Sequence, residues 1–241
     1  MTNGAYAYPG GELELFEHAR NWKRYWAKRI TPFLGATVAE VGAGIGSNTR
    51  NLISSRADWT CIEPDGALAA RIEQLVERGQ LGANCAVRAT TLAALPSASR
   101  FDTILYIDVL EHIADDRAEL AEAARRLRPG GYLVVLSPAH QWLFTAFDAA
   151  IGHVRRYTAK SLRGLSPPGL RPQLFQYLDS VGLLASLANV LLLKASMPTR
   201  AQIRFWDQVM VPASRLLDPL TGFRAGKSIL AVWQAPGNVA S

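Results

Sequence analysis

Glu40-Val41-Gly42-Ala43-Gly44-Ile45-Gly46 directly follows the apolar run Thr37-Val38-Ala39. A β-branched run that ends in an acid and three alternating glycines reads as a strand turning sharply into a helix. Glycine has no Cβ, so this turn takes positive φ and lets a ligand approach its backbone. The helix that follows aims its first amides and its dipole at that ligand. The chemistry indicated is the cradling of a nucleotide-like molecule, against the plainer reading of a tight strand-to-helix connection. The spacing is G-x-G-x-G, whereas the dinucleotide fingerprint is G-x-G-x-x-G. A carboxylate at Glu40 repels a pyrophosphate but suits a ligand bearing an ammonium group. S-adenosylmethionine has an ammonium, a sulfonium and no phosphate.

A second acid lies at the tip of a second apolar run, Trp59-Thr60-Cys61-Ile62-Glu63, followed by Pro64-Asp65-Gly66 and a helical segment over 67–78. A carboxylate in this position accepts hydrogen bonds from both ribose hydroxyls, a device also used by dinucleotide folds. It supports an adenosine ligand without naming one, and a solvated strand end would look the same. Further on, 101–108 reads as a strand (FDTILYID) and is followed by Val109-Leu110-Glu111-His112-Ile113. A helix over 115–127, the turn Arg128-Pro129-Gly130-Gly131 and a buried strand over 132–138 come next.

With FDTILYIDVLEHI and LRPGGYLVVLSP in place, residues 35–160 resemble the class I S-adenosylmethionine-dependent methyltransferases, with the small-molecule branch and the ubiquinone-type O-methyltransferases most similar. The resemblance implies an α/β fold: a Rossmann-like, doubly wound, seven-stranded, mostly parallel sheet with an antiparallel last strand. The cofactor would lie across the carboxyl ends of the first, second and fourth strands. Open α/β sheets place ligands there on topological grounds alone. By this resemblance Gly42, Ala43, Gly44 and Gly46 cradle the methionine portion, Asn48 is a further cofactor-binding residue, and Glu40 belongs to the glycine-loop architecture, near the ammonium through water. Glu63 and Pro64 hold the ribose. Asp65 and Thr90 meet the adenine, and Asp108 and Val109 line the methyl-donor side. Many members carry an acid after the third strand for the adenine amino group. Here Ala86-Val87-Arg88-Ala89-Thr90-Thr91-Leu92 has none, which leaves a threonine hydroxyl or the backbone.

From His140 onward the chain leaves the shared pattern, just after the fifth strand, where an acceptor would be met. Trp142 and Tyr157 are candidates for shaping a substrate pocket. Arg155 and Arg156 are candidates for an anionic group, because guanidinium matches carboxylate and phosphate geometry; a solvated turn is the alternative. A hydroxyl acceptor calls for a general base. His112, His140 and His153 are the candidates, and His153 is preferred for its place beside Tyr157. An amine or carboxylate acceptor needs no base.

The elements that position these residues follow from periodicity. Leu13, Phe16, Ala19, Trp22, Trp26 and Ile30 recur at helical spacing, so 11–34 reads as one amphipathic helix stopped by Pro32. The expected organisation is a single domain. Residues 1–34 form an N-terminal helical cap, 35–180 with 226–236 the core, and 181–225 an apolar helical insertion between the sixth strand (173–178) and the seventh (228–233). The insertion carries an apolar run from Val181 to Leu193, ending at Lys194, and a second helix over 201–217. The run is shorter than the roughly 20 residues a transmembrane helix needs. Its apolar face must meet the acceptor pocket, a second copy in a homodimer, or the membrane interface; an extra helical layer over the sheet is the plainest reading.

Composition bounds the rest. The 241 residues are 49% hydrophobic and 19% charged, as expected of a folded α/β domain with a large core. The two cysteines, Cys61 and Cys85, read as small buried side chains in a reducing compartment. The four histidines and two cysteines show no metal-ligand spacing, and no metal is expected. No secretory pattern opens the chain, so a cytoplasmic location, peripheral to the membrane at most, is expected. A net charge of +6 favours acidic partners, but no nucleic-acid motif accompanies it, and the Pro-Pro-aromatic motif of adenine-amino methyltransferases is missing after the fourth strand. The expected acceptor is therefore a small or lipid-like molecule. The competing functions are an NAD-dependent oxidoreductase, which the glycine spacing disfavours, and a cofactor-binding module without catalysis.

Overall fold

The computed structural model describes residues 8, 11, 13–53, 57–188 and 198–237. Seven strands form one sheet: β1 Thr37–Val41, β2 Asp58–Ile62, β3 Cys85–Arg88, β4 Phe101–Ile107, β5 Leu127–Pro138, β6 Arg171–Leu178 and β7 Ser228–Gln234. Their order is β3-β2-β1-β4-β5-β7-β6. Every pairing from β3 to β5 is parallel, and β7 runs antiparallel to both its neighbours. The expected sheet, reversed only at its last strand, is the observed one. The central strands are near-continuous apolar runs because helices cover both faces: Ile104 to Ile107 and Leu133 to Leu136 are all buried.

The strand order reverses between β1 and β4. From β1 the chain winds outward through β2 and β3; from β4 it winds the other way. The loops leaving β1 and β4 therefore diverge and open a crevice at the carboxyl edge. Cys61 and Cys85, distant in sequence, meet across β2 and β3 with sulfurs 3.7 Å apart, both buried and both free thiols.

The single helix expected over 11–34 is two, α1 Leu13–Glu17 and α2 Arg20–Ile30. The break falls at Ala19, whose ψ of 66° leaves the helical region. α2 buries Trp22, Tyr25, Trp26 and Ile30, and a 3₁₀ turn at Thr31–Phe33, with Pro32 in its first turn, ends it. Further along the chain come α3 Thr49–Leu52, α4 Gly66–Glu77, α5 Asp116–Arg125, α6 Ala146–Ala150 and α7 Ala159–Gly164.

The insertion before β7 comprises α8 Ser180–Ala188, α9 Arg200–Phe205, a π-helical turn Trp206–Met210, and α10 Val211–Leu220. The helix expected over 201–217 is thus interrupted by a wider turn, which brings Trp206 and Asp207 inward together. The apolar residues Val190 to Leu193 and Lys194 lie outside the described residues. No helix among the described residues is long and apolar enough to cross a membrane.

Buried acids fasten this insertion. Asp218 accepts from Tyr25 Oη of α2 at 2.6 Å and from the Asp179 and Ser180 amides at 2.7 and 3.0 Å. Asp179 accepts from Ser214 Oγ and from Trp206 Nε1, both at 2.6 Å. Asp207 accepts from the Trp22 amide at 2.9 Å. Gly182 passes so close to this cluster that a Cβ would sit 2.0 Å from Asp179 Oδ2. Gly182→Ala should therefore lower stability by about 1–3 kcal/mol, seen as a melting temperature reduced by roughly 3–10 °C. An unchanged melting curve would show that the cluster can yield.

Candidate functional site

A cavity of about 1100 Å³ occupies the crevice at the carboxyl ends of β1, β2 and β4. One end is the glycine loop. Gly42 and Gly44 adopt φ of +66° and +58°, and a Cβ on Gly42 would lie 2.6 Å from Val109 Cγ2. The loop is held by the Gly42 amide donating to the Ile62 carbonyl at 2.7 Å. Glu63 accepts from the Gly44 amide at 2.8 Å and from the Asp65 amide at 2.9 Å, one on each oxygen. Each oxygen keeps a lone pair, and burial raises its pKa. Ala43, Asn48, Pro64, Thr90, Asp108 and Val109 line the same cavity. The structure brings these residues to one space with Gly42, Gly44 and Glu63.

Three of the expected cofactor residues are placed differently. Glu40 does not line the cavity. It is buried, and its Oε2 accepts from Thr49 Oγ1 at 2.7 Å and Trp59 Nε1 at 3.0 Å. It braces the loop from behind and does not present a carboxylate to an ammonium group. Its burial pushes its pKa up to about 7. Asp65 is the N-cap of α4, accepting from the Ala67 and Leu68 amides at 2.8 and 3.1 Å, and also from the Tyr8 amide. Its carboxylate is occupied by capping and not directed at an adenine. Gly46 packs against Leu75 and Ile72 of α4, away from the cavity.

The sequence reading missed Lys23. Its ammonium enters the cavity wall from α2 and donates to Ser47 Oγ, beside the glycine loop, at 2.8 Å. Burial pushes its pKa down to about 8 against the opposing pull of Glu17, Glu40 and Asp108. A signal existed: Lys23 lies on the otherwise apolar stripe formed by Ala19, Trp22, Trp26 and Ile30.

The opposite wall holds His153. Its Nδ1 lies 2.9 Å from Asp148 Oδ1, and Arg156 grips the same carboxylate with Nε and Nη2 at 2.7 and 2.9 Å. The Thr145 amide adds a fourth bond at 2.8 Å. Burial alone would raise the pKa of Asp148, but the bonds from His153 and Arg156 hold it well below the usual carboxylate range. The other ring nitrogen, Nε2, lies 3.8 Å from Glu111 Oε1. Glu111 is fully buried. One oxygen accepts from Ser137 Oγ at 2.9 Å, and Oε1 has no hydrogen-bond partner. Burial, with Asp108 nearby, raises its pKa well above the usual range. The His112 ring packs edge-on against His153 at 4.6 Å. Burial, then the neighbouring His153, push its pKa down to about 4. Donor atoms of Glu111, His112 and His153 all lie within 4.8 Å of one another. This grouping was invisible in the spacing, because His153 joins it from a distant segment.

Of the remaining acceptor-side candidates, only Arg156 is part of this wall. His140 is stacked on Tyr177 with centroids 4.9 Å apart, beside Trp142, and bonds the Gly226 carbonyl at 3.1 Å; it does not line the cavity. Trp142 is half exposed outside it. Arg155 is engaged by Asp116 and the Ile113 and Ala114 carbonyls. Tyr157 donates to Asp116 at 2.8 Å and is buried. Arg156 alone of these five reaches the cavity, and its guanidinium is committed to Asp148. The expectation of an arginine pair holding an anionic group is therefore corrected: both guanidiniums have internal carboxylates.

Residues 39–133 match the Methyltransferase domain family. By that match, under half of the chain is similar to a methyltransferase domain. The positive-φ cradle at Gly42 and Gly44 with the strand-end Glu63 fits an adenosine ligand carrying an amino-acid arm. The chain is similar to the ubiquinone biosynthesis O-methyltransferase of Bradyrhizobium sp. (strain ORS 278), 28% identical over 116 residues, covering 48% of this chain and 45% of the relative. It is also similar to the demethylmenaquinone methyltransferase of Tropheryma whipplei (strain Twist), 33% identical over 144 residues, covering 59% of each. The chain thus spans about half the length of these curated relatives. Among solved structures, N-methyltransferase NodS from Bradyrhizobium japonicum WM9, in complex with S-adenosyl-L-homocysteine, superimposes with a TM-score of 0.57. The two are 17% identical, with 91% of this chain and 88% of that one covered. It shares the fold of the methyltransferase domain.

Glu40 makes the brace behind the loop pH-dependent. Its folded pKa of about 7 exceeds the usual 4.5, so the folded protein retains a proton that the unfolded chain has released. The stabilisation is full below pH 4.5 and is lost as pH rises through 7. Glu40→Gln keeps an oxygen for Thr49 and Trp59 and removes the titration. By pH 8 the variant should exceed the wild type in stability by about 1–3 kcal/mol, with the gap closing below pH 4.5. Denaturant unfolding across this range checks it, and a pH-independent difference would refute the assignment.

Proposed function

We propose that this chain transfers a methyl group from S-adenosylmethionine to a hydroxyl of a small, partly apolar acceptor, with His153 as general base. The observation that carries the reading is the pairing of two walls across one cavity: a glycine cradle with Glu63 and Lys23 on one side, and a histidine oriented by a buried carboxylate on the other. Bound in the cradle, the cofactor would present a methyl group on a sulfonium, open to in-line displacement. Glu63 would accept from the ribose hydroxyls. Lys23, already beside Ser47, would pair with the cofactor's carboxylate, and Thr90 would lie on the adenine side. Leu13, Phe16, Trp22, Trp26, Phe205 and Trp206 line the remaining space and exclude water from it.

Asp148 holds His153 in the tautomer whose Nε2 can take a proton, and it stabilises the imidazolium that results. Arg156 positions Asp148. The names of the relatives, which refer to ubiquinone and demethylmenaquinone, agree with a quinol-type acceptor bearing an apolar tail. The oxidoreductase alternative loses support, since these relatives are methyltransferases and the glycine spacing is not the dinucleotide one.

The decisive test uses methyl-labelled cofactor with purified protein and isoprenoid-tailed catechols, beside RNA and protein fractions. Label in the extractable catechol ether supports the reading; label in RNA or protein only would overturn it. His153→Ala should lower kcat by about 10²–10⁴-fold with cofactor affinity unchanged, and Asp148→Asn should approach the same loss, as expected from a mis-set tautomer. Turnover equal to wild type in His153→Ala would remove the base. Lys23→Met should weaken cofactor binding by roughly 10–100-fold, the range of a lost charge-assisted hydrogen bond, and leave kcat at saturation little changed. Calorimetry and steady-state kinetics separate the two effects.

A further inference from the structure

The outer face of α10 is apolar. Its inward positions Val211, Ser214 and Asp218 are buried, the last two committed to Asp179, Ser180 and Tyr25. Its outward positions Leu216, Leu217 and Leu220 are 74, 45 and 81% exposed. Neighbouring elements of the insertion add Leu184 on α8, Phe205 at the end of α9 and Val209 in the π turn, each more than half exposed. Helices that pack against water normally carry the opposite pattern, with the polar side out. Single exposed leucines need no explanation, but several large apolar side chains on one packed set of helices do.

The charges around these side chains have one sign. Between 198 and 224 the exposed charged residues are Arg200, Arg204, Arg215 and Arg224, all positive. The acids of the same stretch, Asp207 and Asp218, are buried and hydrogen-bonded. A second copy docked on this face about a two-fold axis would set the insertion's arginines against one another with no exposed acid of the insertion between 198 and 224 to answer. An anionic lipid surface answers both features, taking the leucines among its acyl chains and the arginines among its headgroups. The same helices reach the cavity: Gly182 and Ala185 of α8 and Gln202 of α9 line it, and Phe205 both lines it and is exposed. The apolar face and the cavity rim therefore meet at Phe205. Since no described helix can span a bilayer, the contact is with one leaflet.

We infer that the insertion helices α8 to α10 form a docking surface for an anionic lipid bilayer, with Leu216, Leu217 and Leu220 inserted and Arg200, Arg204, Arg215 and Arg224 on the headgroups. This surface goes beyond the methyl-transfer reading and is tested without turnover. Full-length protein would be sedimented with vesicles of phosphatidylcholine alone or with an equal part of phosphatidylglycerol. The expected result is binding to the anionic vesicles, weakened about tenfold or more on neutral ones and reduced by added salt. Leu216→Ser/Leu220→Ser should lower binding to anionic vesicles by about tenfold or more, and Arg204→Glu/Arg215→Glu similarly. All four side chains are exposed, so the melting temperature should stay at the wild-type value. Wild-type protein left in the supernatant with anionic vesicles would overturn the inference, as would a serine variant that sediments like wild type. A lipid-free dimer that the same substitutions convert to monomer would also overturn it and assign the face to a second copy. None of these outcomes bears on label transfer to a dispersed acceptor, so failure here and failure of the proposed reaction are distinguishable.

Discussion

A carboxylate taken out of water must recover its hydrogen bonds from the protein. In this chain the donors come from segments far apart in sequence, so satisfying each acid fixes a piece of the tertiary structure. Glu40 joins β1 to Thr49 of α3 and Trp59 of β2. Asp148 joins α6 to the His153 and Arg156 loop. Asp179 and Asp218 join the end of β6, α8, α10 and α2. Asp207 ties the insertion to the start of α2. The crevice is a product of strand order, but its walls stay in register because these acids are met. Removing a single donor would leave a buried charge uncompensated, which is costlier than losing an ordinary contact.

Glu111 departs from this pattern. One oxygen is met by Ser137, while the other has no hydrogen-bond partner and lies toward His153. Asp108 and His140, just past the ends of β4 and β5, both adopt positive φ. Unmet polar atoms and strained backbone concentrate at functional sites, where the surrounding structure is stiff enough to hold them. Here the unmet oxygen of Glu111 faces the His153 wall of the cavity, and Asp108 lies beside the glycine loop. Both walls keep hydrogen-bonding capacity: a lone pair on each Glu63 oxygen, and the unpartnered Oε1 of Glu111.

The sheet was legible because its signals are local. Strand runs with an acid at the tip, glycine turns and the LRPGGYLVVLSP segment each carry their meaning within a dozen residues. The residues gathered at the glycine end of the cavity were legible for the same reason, apart from Glu40, Asp65 and Gly46. At those positions the residue type was informative about the turn, and the side chain's direction depended on partners elsewhere. Trp59 and Thr49 claim Glu40, and the α4 amides claim Asp65. The opposite wall was legible at His112, His153 and Arg156, but not at Glu111 or Asp148, which complete it. Nothing in the spacing tells Arg156 from Arg155, since their carboxylates, Asp148 and Asp116, come from different helices. Lys23 escaped notice because a lysine on a helix is ordinarily solvated; its burial is a property of the insertion packed over it. The break at Ala19 and the π turn at 206–210 alter no residue's hydropathy, so periodicity alone could not place them.

The contact between Gly42 and Val109 has a bearing on how such a chain can change over generations. The space that a Cβ at position 42 would need is filled by a branched side chain from the other loop, 2.6 Å away. Neither residue can be exchanged freely while the other stays. A larger side chain at 42 would require a smaller one at 109 and a backbone still able to hold φ of +66°. Residues 42 and 109 are thus a single unit of inheritance, with drift at one permitted only along paths that the other leaves open.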